Sequence, residues 1–173
     1  MEITEPELLR RHMAYHEAGH VIADLVYGYR FTYVTIRPDE PGEYEGIVYG
    51  STRGRAQDLA VVQLAGIVAA AKMAASDPWE NPPRFDDDRA DIATTGNFID
   101  NWVAFIAKTY GESSYREQLW DETEKKTELL ADQHWKAIEV IAGALLEKET
   151  LSYDDVIRIL KAECPDFTPG KKP

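Results

Sequence analysis

The sequence contains a single cysteine, Cys164, among its 173 residues. One thiol per chain excludes an internal disulfide and is typical of the reducing cytoplasm, where we expect this protein to reside. Residues 1–6 lack the basic region that, followed by an apolar stretch, marks a secretory signal. Long apolar runs are also missing, so we expect no segment that crosses a membrane.

Basic residues are scarce compared with acidic ones. The chain carries 19 lysines and arginines against 31 aspartates and glutamates, a formal net charge of -12. Such a surface repels phosphate groups, which argues against nucleic acid and anionic membranes as partners.

The length allows one well-formed core and is too short for two ordinary domains. We therefore predict a single domain over residues 1–163 and a flexible tail over residues 164–173.

Hydrophobic periodicity predicts a mainly α fold with a small β-hairpin or sheet after the first helix. Ser152, with Asp155 three residues later, predicts the N-cap of the last helix. A proline-rich segment at 77–83 predicts a linker. The predicted strands are 31–36 and 46–50, and the predicted helices are 5–27, 56–75, 86–108, 115–149 (one helix or a pair) and 152–160.

The most informative segment is His-Glu-Ala-Gly-His at residues 16–20, inside an apolar-periodic stretch. Residues four apart lie on one face of a helix, so His16 and His20 can present two imidazoles to one metal ion. Glu17 lies beside them, where its carboxylate can take a proton from a metal-bound water. His-Glu-x-x-His is the zinc-protease signature. We therefore predict Zn²⁺ as the cofactor, His16 and His20 as ligands, and Glu17 as the catalytic base.

A catalytic zinc ion takes three protein ligands and keeps a fourth position for water. His12 is poorly placed as the third, because three histidines on one straight helix cannot surround a tetrahedral ion. His134 lies far along the chain in a charged stretch, so a carboxylate from another helix is the better candidate. Asp91 precedes an apolar pattern that places it at the edge of a buried stripe. Asp88, one turn earlier on the same face, remains the competitor, and periodicity favours Asp91.

Five segments carry a family resemblance: Ala-Tyr-His-Glu-Ala-Gly-His at 14–20, Val-Thr-Ile-Arg-Pro at 34–38 with Gly46 after it, Leu-Ala-Gly at 64–66 with Ala69, Asp91-Ile92, and Leu-Leu-Glu-Lys-Glu-Thr-Leu at 145–151. They resemble the peptidase domain of FtsH-type zinc metalloproteases, without the ATPase module or transmembrane segments of that family. The resemblance covers roughly residues 10–161 and implies a zincin-like metallopeptidase fold. The chain departs from the family at Ile67, Ala70 and Ala90, where arginine, an acidic residue and often asparagine occur.

The motif and the resemblance together predict an ATP-independent zinc metalloendopeptidase that cleaves unfolded or flexible polypeptides through a zinc-activated water. His16, His20 and Asp91 would hold the zinc, and Glu17 would pass the water proton to the leaving amine. The sequence has no Gly-x-x-x-x-Gly-Lys-Ser/Thr phosphate loop, which is why we expect no ATP-driven unfolding by this chain.

The resemblance also implies how a polypeptide substrate binds. The strand formed by Gly46, Ile47, Val48 and Tyr49 would hold an extended peptide by strand addition at the sheet edge. Because this chain has no ATPase to unfold substrates, we expect it to work as a homo-oligomer or with a separate partner that delivers the substrate. Two alternatives stay open: a zinc hydrolase of one dedicated small or protein substrate, and a non-catalytic interaction or regulatory module that keeps zinc for structure.

Overall fold

The computed structural model describes residues 5–37, 46–50, 54–76, 86–110 and 115–171. These residues form six helices and three short strands, which confirms the predicted mainly helical fold with a small sheet. The helices are α1 Glu5–Val26, α2 Ala56–Ser76, α3 Asp86–Tyr110, α4 Arg116–Gln133, α5 Trp135–Lys148 and α6 Tyr153–Glu163. The strands are β1 Tyr33–Thr35, β2 Ile47–Tyr49 and β3 Thr150–Ser152. The predicted linker at 77–83 lies outside the described residues.

The three strands form an antiparallel sheet in the order β2-β1-β3. Val34 in the central strand pairs with Val48 on one side and with Leu151 on the other. Strands β1 and β2 correspond to the predicted pair, whereas β3 was not predicted, because three residues carry too little alternation to be recognised. The order leaves β2 at an edge of the sheet, with Ile47 and Tyr49 about half exposed.

Local sequence signals set several helix ends. Gly28 follows α1 with a φ of 74°, a left-handed conformation that glycine adopts without strain. The Ser152 hydroxyl accepts a hydrogen bond from the Asp155 N–H at 3.1 Å, and the Asp155 carboxylate accepts one from the Ser152 N–H at 3.2 Å. This capping box begins α6 where the sequence predicts it. A turn at His134 divides the region 115–149 into a pair of helices.

The main core lies where α1 packs against α2 and α5. Gly19 sets the distance between α1 and α2, because a Cβ there would stand 2.9 Å from the Cβ of Ala69 and would overlap the backbone of Ala65. The close approach explains a glycine in a helix interior, where it costs about 1 kcal/mol relative to alanine. It also brings the metal motif of α1 directly against α2.

The expectation of no long apolar run is wrong for α2, whereas the expectation that no segment crosses a membrane stays a prediction. Residues 56–75 form a helix with mean hydropathy 1.6, long and apolar enough to cross a bilayer by composition alone. In the structure, 61% of this apolar stretch is buried inside the protein. A single helix that is mostly buried in this way is typical of a core helix, and α2 packs against α1, α3 and α4.

The segment after α6, for which the sequence predicts a flexible tail, makes specific contacts in the structure. Cys164 is buried, and the ring of Phe167 lies 5.4 Å from the ring of His134. The Gly170 N–H donates a hydrogen bond of 2.8 Å to the Leu25 carbonyl near the end of α1. The described part of the segment is therefore attached to the helical core, while its mobility stays a prediction.

Candidate metal centre

Helix α1 supplies two buried imidazoles. His16 and His20 are 2% and 8% exposed, and their Nε2 atoms lie 3.0 Å apart. His20 Nδ1 lies 2.7 Å from the carbonyl oxygen of Val62 on α2. Because a carbonyl oxygen only accepts, Nδ1 is the protonated nitrogen, and Nε2 of a neutral His20 keeps its lone pair for a metal.

Helix α3 brings a carboxylate to the same point. Asp91 Oδ2 lies 3.0 Å from His16 Nε2 and 3.0 Å from His20 Nε2, so three donor atoms form a triangle of equal sides. Ligand atoms at about 2.0 Å from a tetrahedral zinc ion lie about 3.3 Å from one another. The spacing therefore fits a metal ion, and this buried group could hold one. These are the three residues for which the sequence predicts ligation.

Asp91 and His20 stabilise each other's charged forms. Burial acts to raise the pKa of Asp91, but hydrogen bonds from His16 and His20 outweigh it and lower that pKa to about 2. Burial acts to lower the pKa of His20, yet the hydrogen bond to Asp91 opposes it, and the pKa is raised from its ordinary value of 6.5. Protons and metal ions compete for the same lone pairs, so a site of this kind releases protons when it binds metal.

Gly66 on α2 forms the wall behind this triangle. A Cβ at Gly66 would stand 2.5 Å from His20 Nε2 and 2.9 Å from His16 Nε2. No side chain fits there unless the imidazoles move, since real Cβ atoms do not approach closer than 3.0 Å. The glycine therefore lets the α2 backbone close one side of the ligand triangle.

Glu17, in the same motif, lies against the segment that leads into β2. It is 3% exposed, and its carboxylate contacts the backbone of Gly46 so closely that a Cβ at that glycine would overlap it. Gly46 immediately precedes β2, so the carboxylate lies at the point where the edge strand begins. A base placed between the metal triangle and a strand can reach both a water molecule and a peptide lying along the strand.

A cleft of about 210 Å³ joins these groups. Helices α1, α2 and α3 and the start of β2 form its walls. The predicted site residues His16, Glu17, His20, Asp91, Gly46, Ile47 and Val48 all line it. Tyr49 is not among the lining residues and is 54% exposed at the far end of β2.

Two other candidate ligands, His12 and His134, are not part of the triangle. The ring of His12 is buried and stacks on that of His16, with centroids 6.1 Å apart. His134 is half-buried beside Phe167, and burial lowers its pKa. The side chain of Asp88 lies outside the described residues, although its backbone belongs to the first turn of α3.

Sequence reasoning missed three contributors to the site. Asp24, which is 1% exposed, lines the cleft and follows His20 by four residues, so helical spacing would have revealed it. The Val62 carbonyl and the wall at Gly66 depend on how closely α2 approaches α1. No pattern within α2 itself contains that information.

No family model matches the chain, and a search of curated proteins finds no match. The resemblance to FtsH-type metalloproteases therefore stays a prediction from the segments that carry it. What the structure contributes is a buried His-His-Asp group that could hold a metal ion, at the end of a cleft bounded by an edge strand.

Proposed function

We propose that this protein is an ATP-independent zinc metalloendopeptidase that acts on unfolded or flexible polypeptides. One observation carries the proposal: Nε2 of His16, Nε2 of His20 and Oδ2 of Asp91 lie 3.0 Å from one another in a buried group. Two imidazoles and a carboxylate are a donor set that zinc prefers in catalytic sites. Such sites keep one coordination position open, and here the cleft lies beside the ligands.

The chain's own residues divide the work of peptide hydrolysis. A bound zinc ion would supply Lewis acidity, which makes water acidic near neutral pH and polarises a carbonyl group. His16, His20 and Asp91 would hold the ion, and the Val62 carbonyl keeps His20 in the tautomer that can ligate. Glu17 would accept the water proton at its carboxylate and pass it to the leaving amine.

The edge strand β2 supports a polypeptide as the substrate. Its outer side carries no strand partner in the described sheet, so its backbone groups are available to an extended peptide. Gly46 places the start of this strand against the Glu17 carboxylate. A peptide added along Ile47 and Val48 would thus pass beside the base. Because only extended chains bind in this way, folded proteins would need a separate delivery partner or an oligomeric assembly.

A second candidate is a zinc hydrolase of one dedicated substrate. The cleft volume of about 210 Å³ favours it, because pockets for drug-sized ligands usually measure about 300–1,000 Å³. A small cleft admits little more than one side chain and the bond beside it. A non-catalytic zinc module is the weaker reading, since a structural site has no need of the buried Glu17 carboxylate in its cleft.

Cleavage of an unfolded protein tests the proposal directly. Zinc-loaded protein is incubated with casein in the absence of ATP, and fragments are followed by gel electrophoresis. We expect cleavage that a chelator stops and that Glu17→Gln lowers by at least about 100-fold while zinc stays bound. Glu128→Gln, at an exposed position on α4, is the matched control and should cleave like the wild type.

The outcomes separate the candidates. Cleavage of short peptides but not of casein would favour the dedicated hydrolase. Full activity of Glu17→Gln would overturn the assignment of the base. No cleavage of any peptide by zinc-loaded wild-type protein would leave the non-catalytic module.

A further inference from the structure

The cleft contains a neutral polar side chain that neither the metal triangle nor the proposed base uses. Gln63 on α2 is half-buried and lines the cleft. Among the described residues, its side-chain amide has no hydrogen-bond partner. A glutamine amide carries two N–H donors as well as an acceptor oxygen. These groups are therefore available to a substrate that enters the cleft.

Side-chain hydrogen-bond donors are scarce in this cleft. Apart from glycine, the other described lining residues carry carboxylate, imidazole or apolar side chains. An ionised carboxylate only accepts hydrogen bonds. The two imidazoles are those assigned to the metal, and Nδ1 of His20 is directed to the Val62 carbonyl. Gln63 is therefore the side-chain donor that remains for a substrate in the described lining.

Gln63 lies within one helical turn of two contacts between α2 and the metal ligands. The carbonyl oxygen of the preceding residue, Val62, lies 2.7 Å from His20 Nδ1. Gly66 follows Gln63 by three residues and so lies on the same face of α2. A Cβ at Gly66 would stand 2.5 Å from His20 Nε2. The amide thus enters the cleft from the α2 wall beside the ligands, whereas the carboxylate of Glu17 enters it from α1.

We propose that the Gln63 amide donates a hydrogen bond to the carbonyl oxygen of the scissile peptide. This inference rests on the proposed peptidase function. In that reaction the water oxygen bonds to the carbonyl carbon, the π electrons of the C=O bond move to the carbonyl oxygen, and the water proton goes to Glu17. When the C=O bond re-forms, the C–N bond breaks and the leaving amine takes that proton. Gln63 transfers no proton, and its hydrogen bond stabilises the charge that the oxygen gains in the transition state.

Substitution by methionine removes the amide and keeps a side chain of similar length and helix propensity. Cleavage of a quenched fluorescent peptide by zinc-loaded protein is compared for the wild type and Gln63→Met. We expect kcat to fall about 10-fold to 100-fold, the range for a hydrogen bond to a charged group, with KM unchanged within about threefold. Gln57→Met, the same change at a half-buried position of α2 outside the described lining, should match the wild type. A raised KM with unchanged kcat would overturn the proposal, because Gln63 would then only bind the substrate.

A binding measurement tests the donor without turnover. A phosphinic peptide carries a negatively charged oxygen on a tetrahedral phosphorus atom and so mimics the charged carbonyl oxygen. We expect Gln63→Met to weaken binding of a fluorescein-labelled phosphinic peptide about 10-fold to 100-fold in fluorescence anisotropy, with zinc affinity unchanged in chelator competition. Gln63→Glu, whose ionised carboxylate lacks a donor, should weaken it as well, so the test does not depend on one variant.

The two measurements distinguish this inference from the peptidase function. Weaker binding of the phosphinic peptide by both variants, without peptide cleavage by the wild type, would support the Gln63 donor and overturn the function. Equal affinity of wild type and variants for the phosphinic peptide would overturn the donor even if casein is cleaved. No binding of the phosphinic peptide to zinc-loaded wild-type protein would also overturn it.

Discussion

Replacing Gly66 with alanine should remove metal binding and leave the fold intact. The new Cβ would stand 2.5 Å from His20 Nε2 and 2.9 Å from His16 Nε2. Atoms in contact normally lie about 3.5 Å or more apart, so the His20 ring must retreat by about 1 Å. Metal–ligand distances tolerate only about 0.2 Å, so at least one ligand is lost. We expect the zinc affinity to fall at least about 100-fold.

The free energy of unfolding should change much less. Overpacking in a core costs about 1–3 kcal/mol, and alanine regains about 1 kcal/mol over glycine in a helix. The metal-free Gly66→Ala protein should therefore be destabilised by about 0–2 kcal/mol and remain folded. Gly143 on α5 offers a matched control, because a Cβ there has no neighbour within 4 Å. Gly143→Ala should bind zinc like the wild type and gain stability.

Competition with a chelator of known affinity measures zinc binding, and urea unfolding of the metal-free proteins measures stability. The same substitution is then made in a His20→Ala background, where the closest atoms are gone. Gly66→Ala should destabilise that protein less than it destabilises the wild type, because the two sites are coupled through one contact. Zinc affinity of Gly66→Ala within about threefold of the wild type would refute the reasoning.

Three further predictions concern the third ligand, the last helix and the core. Asp91→Asn should lower zinc affinity by at least about 100-fold, whereas Asp88→Asn should leave it unchanged. Both affinities are measured from the metal that stays bound after dialysis. The reverse result would make Asp88 the ligand. Ser152→Ala should lower the free energy of unfolding by about 0.5–2 kcal/mol in urea, and no change would mean that the capping box contributes nothing. Ile141→Ala, at a fully buried position, should cost about 2–5 kcal/mol. Leu129→Ala, 56% exposed, should cost far less, and equal losses would contradict the described core.

Helix α3 illustrates what sequence periodicity resolves. The apolar spacing after Asp91 predicts that this carboxylate lies at the edge of a buried stripe, and its side chain is 16% exposed beside the two histidines. Glycine at the end of α1 and the Ser152 capping box were equally readable, because each depends on residues a few positions apart. Local chemistry therefore predicted the helices and the three residues of the group that could hold a metal ion.

The parts that could not be predicted depend on contacts between distant segments. Strand β3 has three residues and exists through its pairing with β1. The hydrogen bond from His20 to Val62 spans 42 positions of sequence. Gly66 was recognised as part of a resemblance, but its position against the imidazoles follows from the close packing at Gly19. These features are set by strand pairing and helix packing between distant segments, which no single segment encodes.

The strand order β2-β1-β3 also orders events during synthesis. Thr35 in the central strand bonds to Thr150, 115 positions later, through their hydroxyl groups at 2.7 Å. At about 5–20 residues per second, a ribosome needs roughly 6–23 s to make the intervening chain. The segment with His16, Glu17 and His20 therefore emerges long before β3 can support the strand beside the cleft. A nascent chain therefore holds the metal motif before it can complete the sheet beside the cleft.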